Sequence, residues 1–189
     1  MDTTLFDKHL TARELEDRIE HVLRSPMDAG ALELIVVRPS VGKRKVLTAA
    51  VVDQTEGVIG DNWLKRGSGW RQSKASNPEA QINVMNYRFA LLVAGHRDRV
   101  PLAGDQLFVD LDLGPANLPP GTRLQVGSAI IEVTPPPHLG CKKFVERFGV
   151  EAMKFANSEF GRSHNLRGVN AKVVTGGEIA IGDIMSRQI

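Results

Sequence analysis

The stretch TPPPHLGCKKF, Thr134 to Phe144, holds the only cysteine among 189 residues. A cysteine acts as nucleophile or soft-metal ligand through its thiolate, and neighbouring lysines or the start of a helix favour that form. Cys141 has both in its sequence: Lys142 and Lys143 follow it directly, and CKKFVERF reads as the opening turns of a helix. Pro135 to Pro137 stiffen the approach from the preceding strand, and His138 is placed to help as a hydrogen-bond donor. A single cysteine forms no internal disulfide, and no C-x-x-C pair offers zinc or dithiol redox chemistry. Two readings of Cys141 stay open, a functional thiol or a buried small hydrophobe. His138 reads equally as a helper or as a turn residue.

A second group of residues suits anions. RSHNLRGVNAKVV sets Arg162, Arg167 and Lys172 near glycines, and NLPPGTRLQVG adds Asn117 and Arg123. Guanidinium groups beside glycine-rich turns can hold a phosphate, although single surface cations are more commonly just solvated. Asp61, Asp105 and Asp183 each follow glycine, which reads as turn punctuation rather than a metal triad. Trp63 and Trp70 lie near cations but do not make a stacking platform, and a net charge of +2 is too small to argue for nucleic acid.

The elements that position these residues follow from periodicity and turn chemistry. Composition is that of an ordinary soluble globular chain, 42% hydrophobic and 24% charged, with a length that suits one core. Thr11 and Glu14 form a TARE capping box that opens an amphipathic helix running to about Ser25 and Pro26, with Leu15, Ile19, Val22 and Leu23 inward. ALELIVVRP (31–39) and KRKVLTAAVVD (43–53) read as two antiparallel strands, followed by a long surface loop to Gln81. INVMN is a short strand, YRFALLVAGH a helix, and DQLFVDLDLG alternates with period two.

GTRLQVGSAIIEVTPPP reads as a hairpin turned at Gly-Ser. Helical pieces flank Gly149, and VNAKVVTGGEIAIGDIMSR reads as three strands broken at Gly-Gly and Gly-Asp. Many short strands with glycine turns point to a β-barrel or sandwich with a few helices. The apolar run FALLVAG is far short of the roughly 20 residues that span a bilayer, and the N-terminal residues lack a secretory pattern. A cytoplasmic, reducing location is therefore expected, with no membrane partner.

EGVIGDNW, DLGPANLPPGTRLQVGSAIIEVTPPPHLGCKKF and LRGVNAKVVTGGEIAIGDIM, in that order, resemble the MOSC domain, the module named for the C-terminal part of molybdenum-cofactor sulfurases. The similarity spans about residues 30–187, which divides the chain into an N-terminal helical extension, 1–29, and a MOSC domain, 30–189. The resemblance implies a mainly β, barrel-like MOSC fold with a few peripheral helices, including an N-terminal one. It also implies a cysteine that either ligates molybdenum in a pterin cofactor or carries sulfur as a persulfide. Cys141 matches that cysteine, as catalytic residue and metal ligand alike. Asn117 matches the asparagine of the family's strand-to-loop motif, and Arg167 with Gly168 matches the RG before the penultimate strands. Together with Lys142, Lys143 and His138, these are the cofactor-binding candidates. Many members carry arginine or proline directly before the cysteine, whereas this chain has His138-Leu139-Gly140.

Two functions follow from the resemblance. In the first, Cys141 ligates molybdenum, Arg167 with Lys142 or Lys143 holds the pterin phosphate, and an electron-donating partner supplies reducing equivalents, since no ferredoxin-like domain is present in the chain. In the second, Cys141 accepts sulfur from a cysteine desulfurase and passes it to a metal centre. A barrel kept only as an interaction module, with an inert Cys141, is the third reading. The PLP-dependent desulfurase domain of full cofactor sulfurases is too large to fit, so no PLP is expected in this chain.

Overall fold

The computed structural model describes residues 9–67 and 75–188, so Trp70 lies outside the described residues. The capping box forms as its sequence predicts. Thr11 Oγ1 accepts from Glu14 N–H at 3.2 Å, and the Glu14 carboxylate accepts from Thr11 N–H at 2.9 Å. It opens α1 (Ala12–Arg18), and the helix breaks at Ile19 before a single further turn, α2 (Glu20–Leu23). Leu15, Ile19 and Val22 are buried, but Leu23 is 43% exposed. Adjacent helical residues point about 100° apart, so one turn can face only one of Val22 and Leu23 inward.

In chain order the strands are β1 (Ala29–Val37), β2 (Lys45–Leu47), β3 (Ala49–Asp53), β4 (Gly57–Val58), β5 (Ile82–Asn86), β6 (Leu107–Val109), β7 (Arg123–Val126), β8 (Ala129–Pro137), β9 (Val169–Thr175), β10 (Gly177–Ala180) and β11 (Ile184–Arg187). Seven of them close a barrel in the order β1, β11, β7, β8, β9, β5, β6 and back to β1. Among the described residues only β5 and β6 pair in parallel, and α4 (Tyr87–Ala94) makes the crossover between them. β2 takes the edge of β1 that β11 leaves: Ala29 to Ala31 pair with β11, and Ile35 to Val37 with β2. The segment 43–53, expected as one strand, breaks at Thr48, whose carbonyl accepts from Ile181 N–H. β3 then joins a second sheet, β10–β3–β4. DQLFVDLDLG pairs only over β6, because Asp112 folds back to accept Gly114 N–H at 2.8 Å.

Two apolar layers result. Leu32, Ile35, Ile82, Val84, Leu107 and Val109 fill the barrel. Leu34, Val36, Met85 and Phe108, on the outer face of the same three strands, pack under α1, α4, α5 (Lys142–Phe148) and α6 (Val150–Asn157). Burial on both faces explains why β1, β5 and β6 read as nearly continuous apolar runs. β7, covered on one face only, alternates exposed Arg123 and Gln125 with buried Leu124 and Val126. Among the described residues no helix is long and apolar enough to cross a membrane.

Candidate functional site

β8 carries the chain out of the barrel through Pro135 to Pro137, and the connection to α5 holds His138 and Cys141. Cys141 is exposed and occupies the N-cap position of α5, where its side chain makes no capping bond. The approach to it is pinned from α6: Gly140 N–H donates to Asn157 Oδ1 at 2.8 Å, and Asn157 Nδ2 donates to Gly140 O at 3.1 Å. The thiol is therefore a solvent-facing group on a braced loop and belongs to neither apolar layer. Lys142 and Lys143 are exposed beside it.

Arg167 is brought to the same region from the far end of the chain. The following residue, Gly168, has φ +106, and a Cβ there would stand 2.2 Å from Val84 O, so only glycine lets this turn press against β5. The guanidinium enters the protein, 7% exposed, where Nη1 donates to both oxygens of Asp105 at 2.9 and 2.8 Å and Nη2 donates to Ala103 O at 3.2 Å. It lies 5.0 Å from the ring centre of Phe144 on α5, a cation–π contact that ties it to the cysteine-bearing helix. Arg167 Nε is buried with no acceptor.

His138 Nδ1 is 3.4 Å from Asp105 Oδ1, too poorly aligned to count as a hydrogen bond, and is likewise buried without a partner. Burial, then the positive charge of Arg167 and, more weakly, that of Arg38, push its pKa down to about 3 against the opposing pull of Asp105. The ring is thus neutral near pH 7. His138, Leu139, Arg162, Arg167 and Asn170 line a cleft of about 260 Å³ that the proline run also borders. Arg162 is exposed there and has no side-chain partner among the described residues. Asn170 braces the prolines, donating to Pro136 O at 2.9 Å while accepting from Asn83 Nδ2 at 2.7 Å.

His138 and Arg167 therefore share one cleft, and Cys141 follows three residues after His138. Cys141 itself, Lys142, Lys143 and Asn117 do not line it. Asn117 is a buried clamp whose Nδ2 donates to Met27 O and Asp112 O, both at 2.8 Å, and whose Oδ1 accepts from Arg187 at 2.9 Å. Arg123 and Lys172 both pair with Glu132 on the barrel's outer surface. The residue that sequence reasoning missed is Asp105. Its Gly-Asp context reads as a turn, and nothing local marks it as the counter-ion of Arg167. Among the described residues no three of His, Cys, Asp and Glu are grouped so as to hold a metal ion.

No family model matches the chain, and no curated protein sequence matches it significantly. Solved structures do. The YuaD protein of Bacillus subtilis aligns at TM-score 0.63 and 18% identity over 85% of this chain and 97% of its own. YiiM of Escherichia coli aligns at TM-score 0.53 and 17% identity over 84% of this chain and 70% of its own. At such identities the likeness concerns the fold alone: this chain has the helix-decorated barrel of YuaD and YiiM.

Proposed function

We propose that this chain is a MOSC-type domain that binds a molybdenum-pterin cofactor at the His138–Arg167 cleft. Cys141 is its thiolate ligand to the metal, and an electron-donating partner serves it as a redox module. The observation that carries this reading is the pair of buried polar atoms, Arg167 Nε and His138 Nδ1, left without partners on two residues that line one cleft, with the exposed thiol three residues further along the chain from His138. Buried polar groups in folded proteins are almost always satisfied, so orphaned polar atoms at a cleft suit a ligand. One thiolate also suits a metal whose other ligands come from its own cofactor. When bound, that group supplies electron transfer at the metal. In the chain, Asn157 and the prolines hold the thiol's approach, Arg162 offers a free guanidinium to an anionic group, and neutral His138 stays a hydrogen-bonding partner rather than a charge.

The phosphate-binding expectation changes in one respect. Asp105 already neutralises Arg167, so Arg162, rather than Arg167 with a lysine, is the uncompensated cation of the cleft. That same neutralisation, with the exposure of Cys141, favours a second reading as a sulfur carrier. There the Cys141 thiolate attacks the terminal sulfur of a desulfurase persulfide, the donor cysteine leaves as thiolate, and the sulfur rests on Cys141 in a reducing compartment. Protein from a cofactor-competent host, assayed for molybdenum and for fluorescence of the released oxidised pterin, separates the two. The expected result is metal and pterin together in the native chain. Cys141→Ala should lose the metal and change stability by less than about 0.5 kcal/mol, as for an exposed side chain without partners. Absence of both metal and pterin, with a persulfide on Cys141 after incubation with a cysteine desulfurase, moves the carrier reading ahead.

A further inference from the structure

Away from the thiol, arginines crowd around the other buried carboxylate. The Asp61 side chain is fully buried and engaged by Arg38. Arg38 Nη1 donates onward to Gly104 O at 2.9 Å. At Gly104, whose φ is +88, a Cβ would stand 3.2 Å from Arg44 Nη2 and 3.5 Å from Arg147 Nη1. Two guanidinium groups thus converge on one backbone position whose carbonyl a third already engages.

Among the described residues, none of this charge is answered by a carboxylate other than Asp61. The side-chain bonds of Arg44 and Arg147 run to the backbone carbonyls of Lys43 and Leu102. Arg44 Nε is buried with no acceptor at all. Burial and the charges of Arg147, Arg38 and Arg66 lower the pKa of Arg44, with only Asp61 opposing. Arg66, on α3 (Trp63–Arg66), is lowered by burial and by Arg38, again with only Asp61 opposing. Like charges gathered at this density repel, and an anion held between them would turn repulsion into charge-assisted hydrogen bonds. Convergence on a single point, rather than a spread row of cations, suits a compact tetrahedral anion.

We propose that Arg44 and Arg147 form a binding site over Gly104 for a phosphate-class dianion, either inorganic phosphate or the phosphomonoester of a small molecule. The site goes beyond the cofactor reading. Neither arginine lines the His138–Arg167 cleft. Arg147 lies six residues beyond Cys141 on α5, about 9 Å further along the helix axis.

The test is isothermal titration of the full chain, in low-salt buffer free of phosphate, with inorganic phosphate and separately with glycerol 3-phosphate. Saturable binding is expected for the native chain. Arg44→Ala, whose one side-chain bond among the described residues is to its neighbour's carbonyl, should weaken it by about tenfold or more, the scale of a lost charge-assisted pair. Arg44→Lys keeps the charge but not the fork and should fall between. Tighter binding of glycerol 3-phosphate identifies an organic phosphomonoester, and equal affinities identify free phosphate. Cys141→Ala should bind phosphate as the native chain does, so failure of the metal site leaves this result readable. No saturable heat with either probe, or native affinity in a folded Arg44→Ala/Arg147→Ala protein, overturns the proposal.

Discussion

Arg38 and Arg167 each meet a carboxylate with no exposed surface, yet they use their guanidinium groups differently. Arg38 Nε and Nη2 take one oxygen each of Asp61, at 2.8 and 2.9 Å, while Nη1 reaches Asn83 Oδ1 at 3.3 Å and Gly104 O at 2.9 Å. Every nitrogen of that fork has an acceptor. Arg167 spends Nη1 alone on both oxygens of Asp105 and leaves Nε with none. A buried ion pair already bears a desolvation cost, and an unmade hydrogen bond adds to it. The closed fork holds β1 to the turn that carries Asp61. The open fork lines a cleft, and in the proposed reading its missing acceptor belongs to the cofactor.

Breaking the closed pair gives the largest expected effect. Arg38→Ala strands Asp61 as an uncompensated buried charge and should cost about 3–5 kcal/mol. The reading is a fall in the urea midpoint at unchanged slope. A loss near the range of surface substitutions would mean that water reaches Asp61 and that the two pairs do not differ in kind.

The pH dependence of stability probes the surroundings of the open pair. The His138 pKa of about 3 lies below its ordinary value of 6.5, so the unfolded chain takes up the proton first. Stability should therefore be full above pH 6.5 and fall as pH drops toward 3. Between about pH 7 and about pH 4 the native chain should lose more stability than His138→Gln, which has nothing to titrate there. Equal pH slopes for the two proteins would show that the ring is not held neutral by burial beside Arg167.

The smallest effect on stability sharpens the comparison most. Arg167→Ala strands Asp105 and would confuse folding with binding, whereas Arg167→Lys keeps a positive charge opposite Asp105 and removes Nε. A loss of only about 1–2 kcal/mol is expected, the scale of one or two hydrogen bonds, together with a clear fall in bound molybdenum and pterin. Full cofactor content in Arg167→Lys would assign the open fork to structure alone.

Much of the architecture was legible because its causes are local. The capping box needs only Thr11 and Glu14. The β7–β8 hairpin needs only Gly127 and Ser128 at its turn, and the last three strands are separated where Gly176-Gly177 and Gly182-Asp183 permit it. The break at Thr48 was not legible, since the strand that draws β3 into the second sheet is β10, near the other end of the chain, and Ile181 just beyond it bonds Thr48. In the site, Cys141 at a helix start could be read from its neighbours, but the lysines next to it in sequence do not line the cleft, and Arg162 and Arg167 do.

The three Gly-Asp pairs show where the boundary falls. By sequence they are alike, and Asp183 is the turn residue they all resemble, with Oδ2 accepting Ala180 N–H at 2.7 Å. Asp61 instead meets an arginine 23 residues away, and Asp105 one 62 residues away. Helix starts, turns and strand periods are set by groups within a few bonds of one another, so the sequence by itself determined them, along with the exposed thiol's place at the start of α5. Only the tertiary structure decided which aspartates became buried counter-ions and which arginines were left with donors to spare. Ion pairing depends on distance and solvent exclusion in space, and neither quantity has a signature along the chain.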